Sequence, residues 1–196
     1  MPTIRDADAA DLPQILAIYN EVIASSTAVY TEVPVDLAER QAWLAAKQAA
    51  GHPVLVAEDG GGGVAGFASF GPWRGAWPGY RHTVEHSVHV GAGSRGNGIG
   101  RALMEGLFPR AAALGMHVMI GGIDAANAGS IRFHGRLGFV EVAHFREVGV
   151  KFGRWLDLVF MQRFLTPPGG QRVEGRLASS AGWLGLGLGL GLGLGL

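Results

Sequence analysis

The segment that most limits what this chain can fold into runs TVEHSVHV, GAGSRGN, GIGRALMEGLFPRAAAL, residues 83 to 114. An alternating run passes through a glycine-rich loop into a helical pattern. Alternation with period two gives a strand with two distinct faces: Glu85, Ser87 and His89 on one, Val84, His86, Val88 and Val90 on the other. Ile99, Leu103, Leu107 and Leu114 then fall at helical spacing and are expected to point inward. Pro109 is expected to kink that helix or end it early. Unpaired amides and the positive dipole end at a helix N-terminus suit a phosphate. Gly96, Gly98 and Gly100 would let the backbone approach it, and Arg95 and Arg101 add charge. The spacing is not the dinucleotide fingerprint, and the Gly-Lys-Ser/Thr of a P-loop is missing. An ordinary glycine-rich turn is the competing reading.

Around this unit the pattern reads β-α-α-β-β-β-α-β-α-β-β. Strands are expected at 3–6, 53–58, 64–70, 83–90, 117–123, 139–145 and 155–164. Asp8 or Asp11 can cap the first helix, whose Leu12, Ile15, Ile18, Tyr19 and Val22 share a face. Asp36 can cap the second, before Gly51 stops it. DGGGG at 59–63 is a hairpin turn, and GPWRGAWPGYR at 71–81 is an irregular loop rich in aromatics and Arg. Residues 127–137 form a short helix ended by Gly138. The order predicts a mixed α/β (α+β) fold, one sheet of about seven strands with helices on its faces.

Of the 196 residues, 48% are hydrophobic, enough for a core, and the formal net charge is zero. No Lys/Arg block marks a nucleic-acid face. The absence of cysteine excludes disulfides, thiolate zinc sites and a Cys nucleophile. MPTIRDADAADL has no basic-then-apolar signal pattern, so a cytoplasmic setting is expected. From Leu184 onward the chain is a pure Leu-Gly alternation, too short and too rich in glycine for a membrane helix. The expected division is a globular domain over 1–166 and a low-complexity, disordered tail over 167–196.

Arg95-x-x-Gly98-x-Gly100 resembles the pyrophosphate-binding signature of the GNAT (Gcn5-related) acetyltransferases. Asn127-x-x-Ser130-x-x-x-His134-x-x-Leu137-Gly138-Phe139 resembles the family's second cofactor segment, and the element order agrees over about residues 3 to 165. GPWR, TVEHSVHV, HVMIGGIDAAN, LGF and VGVKFGRWLDLVFMQ are similar, more narrowly, to the phosphinothricin and methionine sulfoximine N-acetyltransferases. That resemblance implies acetyl-CoA as co-substrate, a small amino-acid-like acceptor, a homodimer, and a sheet splayed between its fourth and fifth strands. The alternatives are a protein or peptide N-acetyltransferase and a non-catalytic acyl-CoA sensor. The tight Arg-bearing loop at 71–81 argues against a peptide acceptor, and the presence of both Glu85 and His134 against a sensor.

Acetyl transfer to an amine needs the diphosphate held, the carbonyl polarised, the ammonium deprotonated and the thiolate released. The resemblance gives the diphosphate to the amides of Arg95, Gly96, Asn97, Gly98, Ile99, Gly100 and Arg101. It gives the pantetheine arm to the backbone of Val88, His89 and Val90, as an added strand, with Asn127 and Ser130 assisting. The Val88 amide is the candidate donor to the thioester oxygen. The resemblance also implies Glu85 as the general base; a surface carboxylate is the alternative. His134 stands where many relatives carry a Tyr that protonates the thiolate, and phosphinothricin-type enzymes carry His there. Arg74 and Arg81 can clamp an acceptor carboxylate. Trp73, Tyr80, Tyr30 and Ser87 are candidate pocket residues, while Trp77 is expected only to pack its loop. Lys151, Phe152, Gly153 and Trp155 belong either to the pocket or to a dimer contact. His82, His86 and His89 do not share a face, so no metal site is expected.

Overall fold

The computed structural model describes residues 2–166. Its elements are β1 (Thr3–Asp6), α1 (Leu12–Ser25), α2 (Leu37–Ala49), β2 (Val54–Glu58), β3 (Val64–Pro72), β4 (Thr83–Val90), α3 (Ile99–Ala113), β5 (Val118–Asp124), α4 (Ala128–Arg136), β6 (Val140–Lys151) and β7 (Arg154–Phe164). The strands make one sheet in the order β1-β2-β3-β4-β5-β7-β6. Every neighbouring pair is antiparallel except β4–β5, which is parallel. The expected seven-stranded mixed sheet is thus the observed one. The expected tail, 167–196, lies outside the described residues. Among the described residues no helix is long and apolar enough to cross a membrane.

Alternation along β2 shows how both faces are covered. Leu55 and Ala57 join Leu103, Met104 and Leu107 of α3 in one core. Val54 and Val56 join Leu12, Ile15 and Ile18 of α1 and Leu44 of α2 in the other. Ile131 and Phe133 put α4 on the α3 side. Strands buried on both faces read as continuous apolar runs, as VLVA and VAGFASF do.

The caps follow from short polar side chains. Asp8 accepts from the Ala10 amide in a 3-10 turn before α1, and Asp36 accepts from Glu39 at the start of α2. Asp11 makes no side-chain cap on α1; it accepts the Asp8 amide at 2.9 Å and closes a capping box on the 3-10 turn. The same carboxylate takes both terminal nitrogens of Arg5, at 2.7 and 2.8 Å, which ties β1 to the start of α1.

Three expectations fail in detail. Leu114 is 46% exposed, not inward, because α3 ends at Ala113. Pro109 does not end the helix: it lies on the exposed side, where the carbonyl it leaves unpaired can meet water. β6 continues well past Phe145 to Lys151, because an irregularity between Phe145 and Gly149 shifts the register and hides the period.

Candidate active site

β4 and β5 pair over only three residues: Thr83↔Val118, Val84↔Met119 and Glu85↔Ile120. Beyond Glu85, β4 stays on β3 as far as Gly66↔Val90, while β5 stays on β7 as far as Asp124↔Leu158. The two strands therefore part between Glu85 and the ends of the sheet. His86 to Val90 present to the gap an edge that β5 does not pair, a ready template for an added extended chain.

The glycine-rich loop follows directly. Gly96 and Gly98 have φ of 82° and 78°, left-handed values that side chains resist, and Gly98 is the N-cap of α3. At neither would a Cβ meet any atom within 4 Å, so their glycine is set by backbone conformation and not by crowding. Gly100 has no such φ; a Cβ there would sit at ordinary contact, 3.4 Å, from Phe133. Ala102 is the first α3 amide to find a backbone partner, on the Gly98 carbonyl at 3.0 Å. The amides of residues 95–101 find none among the described residues, leaving a cluster of donors at the positive helix end. Arg95 is held beside it by the Val90 carbonyl and Glu21, whereas Arg101 pairs with Glu105 on the helix surface.

Glu85 is the last β4 residue to pair with β5, so it stands at the root of the gap. Its Oε1 is fully enclosed and has no hydrogen-bond partner among the described residues. Burial pushes its carboxyl up to about 7. It shares its face of the sheet with Ser87 and His89. His89 packs against Tyr19 of α1 and Phe67 of β3, as alternation predicts.

His134 is on the other face. It is buried, stacks on His86 at a centroid distance of 5.0 Å, and meets Phe133 and Phe139 edge-on. Its Nδ1 donates to the Ser130 carbonyl at 2.8 Å, which leaves Nε2 as a bare acceptor. Burial lowers its pKa, so at neutral pH the ring holds no proton on the nitrogen a thiolate would need. Asn127 spends its Oδ1 capping α4 through the Ser130 amide, so only its amide nitrogen remains to reach a ligand.

On the Glu85 side, the Trp73 amide continues the β3–β4 ladder by donating to Thr83 O, and its ring meets Phe160 at 5.1 Å. Arg74 adopts a φ of 48°, uncommon for a residue with a side chain, and its guanidinium lies 5.4 Å from the Tyr80 ring centre. Neither Arg74 nor Arg81 has an acidic partner among the described residues. Trp77 is 63% exposed, so it does not pack the loop as expected. Tyr30 lies against Gly149 of β6 and donates to the Asp157 carbonyl, which places it beneath the β6–β7 hairpin. His82 bonds the Gly115 carbonyl, and no three metal-ligating side chains converge among the described residues.

Lys151, expected in the pocket or in a dimer contact, belongs to neither, and the Thr27–Asp124 pair had no sequence signal. Lys151 is wholly buried: its ammonium donates to Ile23 O and Val29 O, both at 2.7 Å, and pins the α1–α2 loop to the hairpin. Thr27 also donates to buried Asp124 at the end of β5. Beside that pair opens a cavity of about 400 Å³, which Ser26, Asn127, Phe152 and Arg154 help to line. Asp124 lies four residues past Ile120, about 13 Å along the strand, so this cavity is apart from Glu85.

A sheet parted beside a single parallel pair, with free amides at the next helix start, defines a class of acyl-carrier transferases. The profile of the Acetyltransferase (GNAT) family matches residues 15–139, and the chain belongs to that family. It is 53% identical over 165 residues to the L-methionine sulfoximine/L-methionine sulfone acetyltransferase of Pseudomonas paraeruginosa, covering 84% of this chain and 95% of that one. Among solved structures it resembles yncA, a putative acetyltransferase from Salmonella typhimurium determined with its cofactor acetyl-CoA. That match has a TM-score of 0.83 and 47% identity, over 88% of this chain and 99% of the other. It also resembles a GNAT superfamily phosphinothricin acetyltransferase from Sinorhizobium meliloti in complex with acetyl-CoA, with TM-score 0.85 and 38% identity, over 91% and 97%.

Proposed function

We propose that this acetyltransferase moves the acetyl group of acetyl-CoA onto the α-amino group of a small amino-acid analogue of the methionine sulfoximine, methionine sulfone or phosphinothricin type. The observation that carries the reading is the enclosed Oε1 of Glu85, without a hydrogen-bond partner among the described residues, at the root of the parted strands. The names of the relatives support the choice of acceptor.

Each requirement of the chemistry finds a group in the chain. The amides of residues 95–101 take the diphosphate, with Arg95 adding charge. The β4 edge at Val88, His89 and Val90 takes the pantetheine arm, and the Val88 amide meets the oxygen on which negative charge develops, an effect worth about 3 kcal/mol where such donors have been removed. Glu85 accepts a proton from the acceptor ammonium, directly or through a water; a carboxyl titrating near 7 is matched to that task. The freed amine attacks the thioester carbon, its nitrogen gives up a second proton to water, the C–S bond breaks, and the sulfur leaves as thiolate. His134, neutral and on the opposite face, orients the carrier side and does not protonate it. Arg74 and Arg81 clamp the acceptor carboxylate, while Trp73, Tyr80 and Ser87 shape its pocket and Tyr30 backs it from the hairpin.

The same proposal includes a homodimer. Val140, Val142, Phe145, Val148 and Val150 are each about half exposed along β6, the last strand of the sheet, and Trp155 beside them is 66% exposed. An apolar edge of that length calls for a partner, and a second copy is the one the family resemblance supplies.

Mass spectrometry of the chain with acetyl-CoA and L-methionine sulfoximine, L-methionine sulfone or phosphinothricin tests the reading. A singly N-acetylated product is expected. No such product from any of the three would remove the acceptor assignment.

A further inference from the structure

The last paired residues of β4 and β5 are Glu85 and Ile120, so the first residues past the parting are His86 and Gly121. A Cβ on Gly121 would stand 2.7 Å from His86 Nε2 and 3.4 Å from its Cε1, closer than a side chain could come. The imidazole therefore fills the place a β5 side chain would occupy. It is 3% exposed. His134 backs it in a near-parallel stack at 25°, and Phe139 meets it edge-on at 5.3 Å. His134 is in turn fastened by its bond to Ser130 O. Neither nitrogen of His86 has a hydrogen-bond partner among the described residues.

We propose that His86 is a positioning residue: its ring, lying on the bare backbone of Gly121 and backed by His134, wedges β4 and β5 apart from that point onward and holds the donor's slot open before the donor arrives. This rests on the reading that acetyl-CoA occupies the parted strands. A slot already open spares the ligand the work of separating two strands, so the wedge acts on donor affinity. It acts little on the chemical step, because Glu85 projects from the opposite face of β4.

The test uses the full chain, with CoA as the calorimetric probe, thermal midpoints to check folding, and kcat and KM for acetyl-CoA. His86→Ala is expected to weaken CoA binding by about tenfold and to raise KM in step, with kcat at saturation within about threefold. His86→Phe keeps the volume without the nitrogens and should bring affinity back to within about threefold of the parent. Gly121→Ala puts a methyl where the ring lies and drives the ring from its seat, so it should also weaken binding, and adding His86→Ala should recover part of that loss, since the clash is between those two positions. A folded His86→Ala protein with unchanged affinity would overturn the wedge, as would a Phe variant no better than Ala. If His86→Ala does not fold, the Phe variant and Gly121→Ala decide: parent-like affinity in the first with loss in the second supports the wedge, and any other combination overturns it. A parent chain that binds no CoA would sink the functional reading itself, a result distinct from equal binding by parent and variants.

Discussion

At Glu85 folding and chemistry pull in opposite directions. Burial without a partner favours the protonated carboxyl, and the proposed reaction uses the ionised one. With the carboxyl raised from its ordinary 4.5 to about 7, the protonated form is the one that suits the fold. The cost of ionising it appears as pH rises through that window, so stability falls between those two values. Glu85→Gln should therefore match the parent's thermal midpoint at pH 5 and exceed it, by roughly 3 °C, at pH 9; a variant no more stable at pH 9 would show that the carboxylate is solvated. In activity the sign reverses. kcat/KM should rise with pH along an acid limb centred at about 7. Glu85→Gln should abolish that limb and lower kcat by about 100-fold or more. Equal turnover in the variant would defeat the base assignment. The position of Glu85 on the polar side of its strand was legible from alternation alone. Its enclosure was not, because it depends on where β5 leaves β4.

At the scale of elements, the loop before α3 and the β6–β7 hairpin contrast. Gly98 caps α3 in a left-handed conformation, so Gly98→Ala should destabilise the fold by about 1 kcal/mol and weaken CoA binding more than that strain alone explains. Denaturant unfolding and calorimetry on the one variant separate the two effects, and unchanged CoA affinity would remove the loop from the binding surface. That loop was readable in sequence because its chemistry is local: glycines, a helix start and two arginines within seven residues of one another. The hairpin was not. Its register shift between Phe145 and Gly149 breaks the alternation, and Lys151, assigned from its motif to a pocket or dimer contact, is buried only because the chain brings it under Ile23 and Val29, more than 100 residues away. Lys151→Met should leave both carbonyls unpaired and cost about 3 kcal/mol, read as a lower urea midpoint at unchanged slope. A loss below about 0.5 kcal/mol would mean the loop finds other donors. The stacking of His86 on His134 was hidden for the same reason, since each lies on its own element 48 residues from the other.

At the scale of the molecule, two cores lie on opposite faces of one sheet, β4 and β5 pair over only three residues between them, and the proposed chemistry sits in that seam. The order of elements was enough to foresee the sheet, because four helices and seven strands in that sequence leave few ways to bury both faces. Titrating acetyl-CoA into the purified chain and into its Glu85→Gln variant by calorimetry tests the account at its centre. Saturable one-site binding of similar affinity is expected in both proteins, with acceptor turnover in the variant lowered by about 100-fold or more. No heat of binding in either protein would contradict the account.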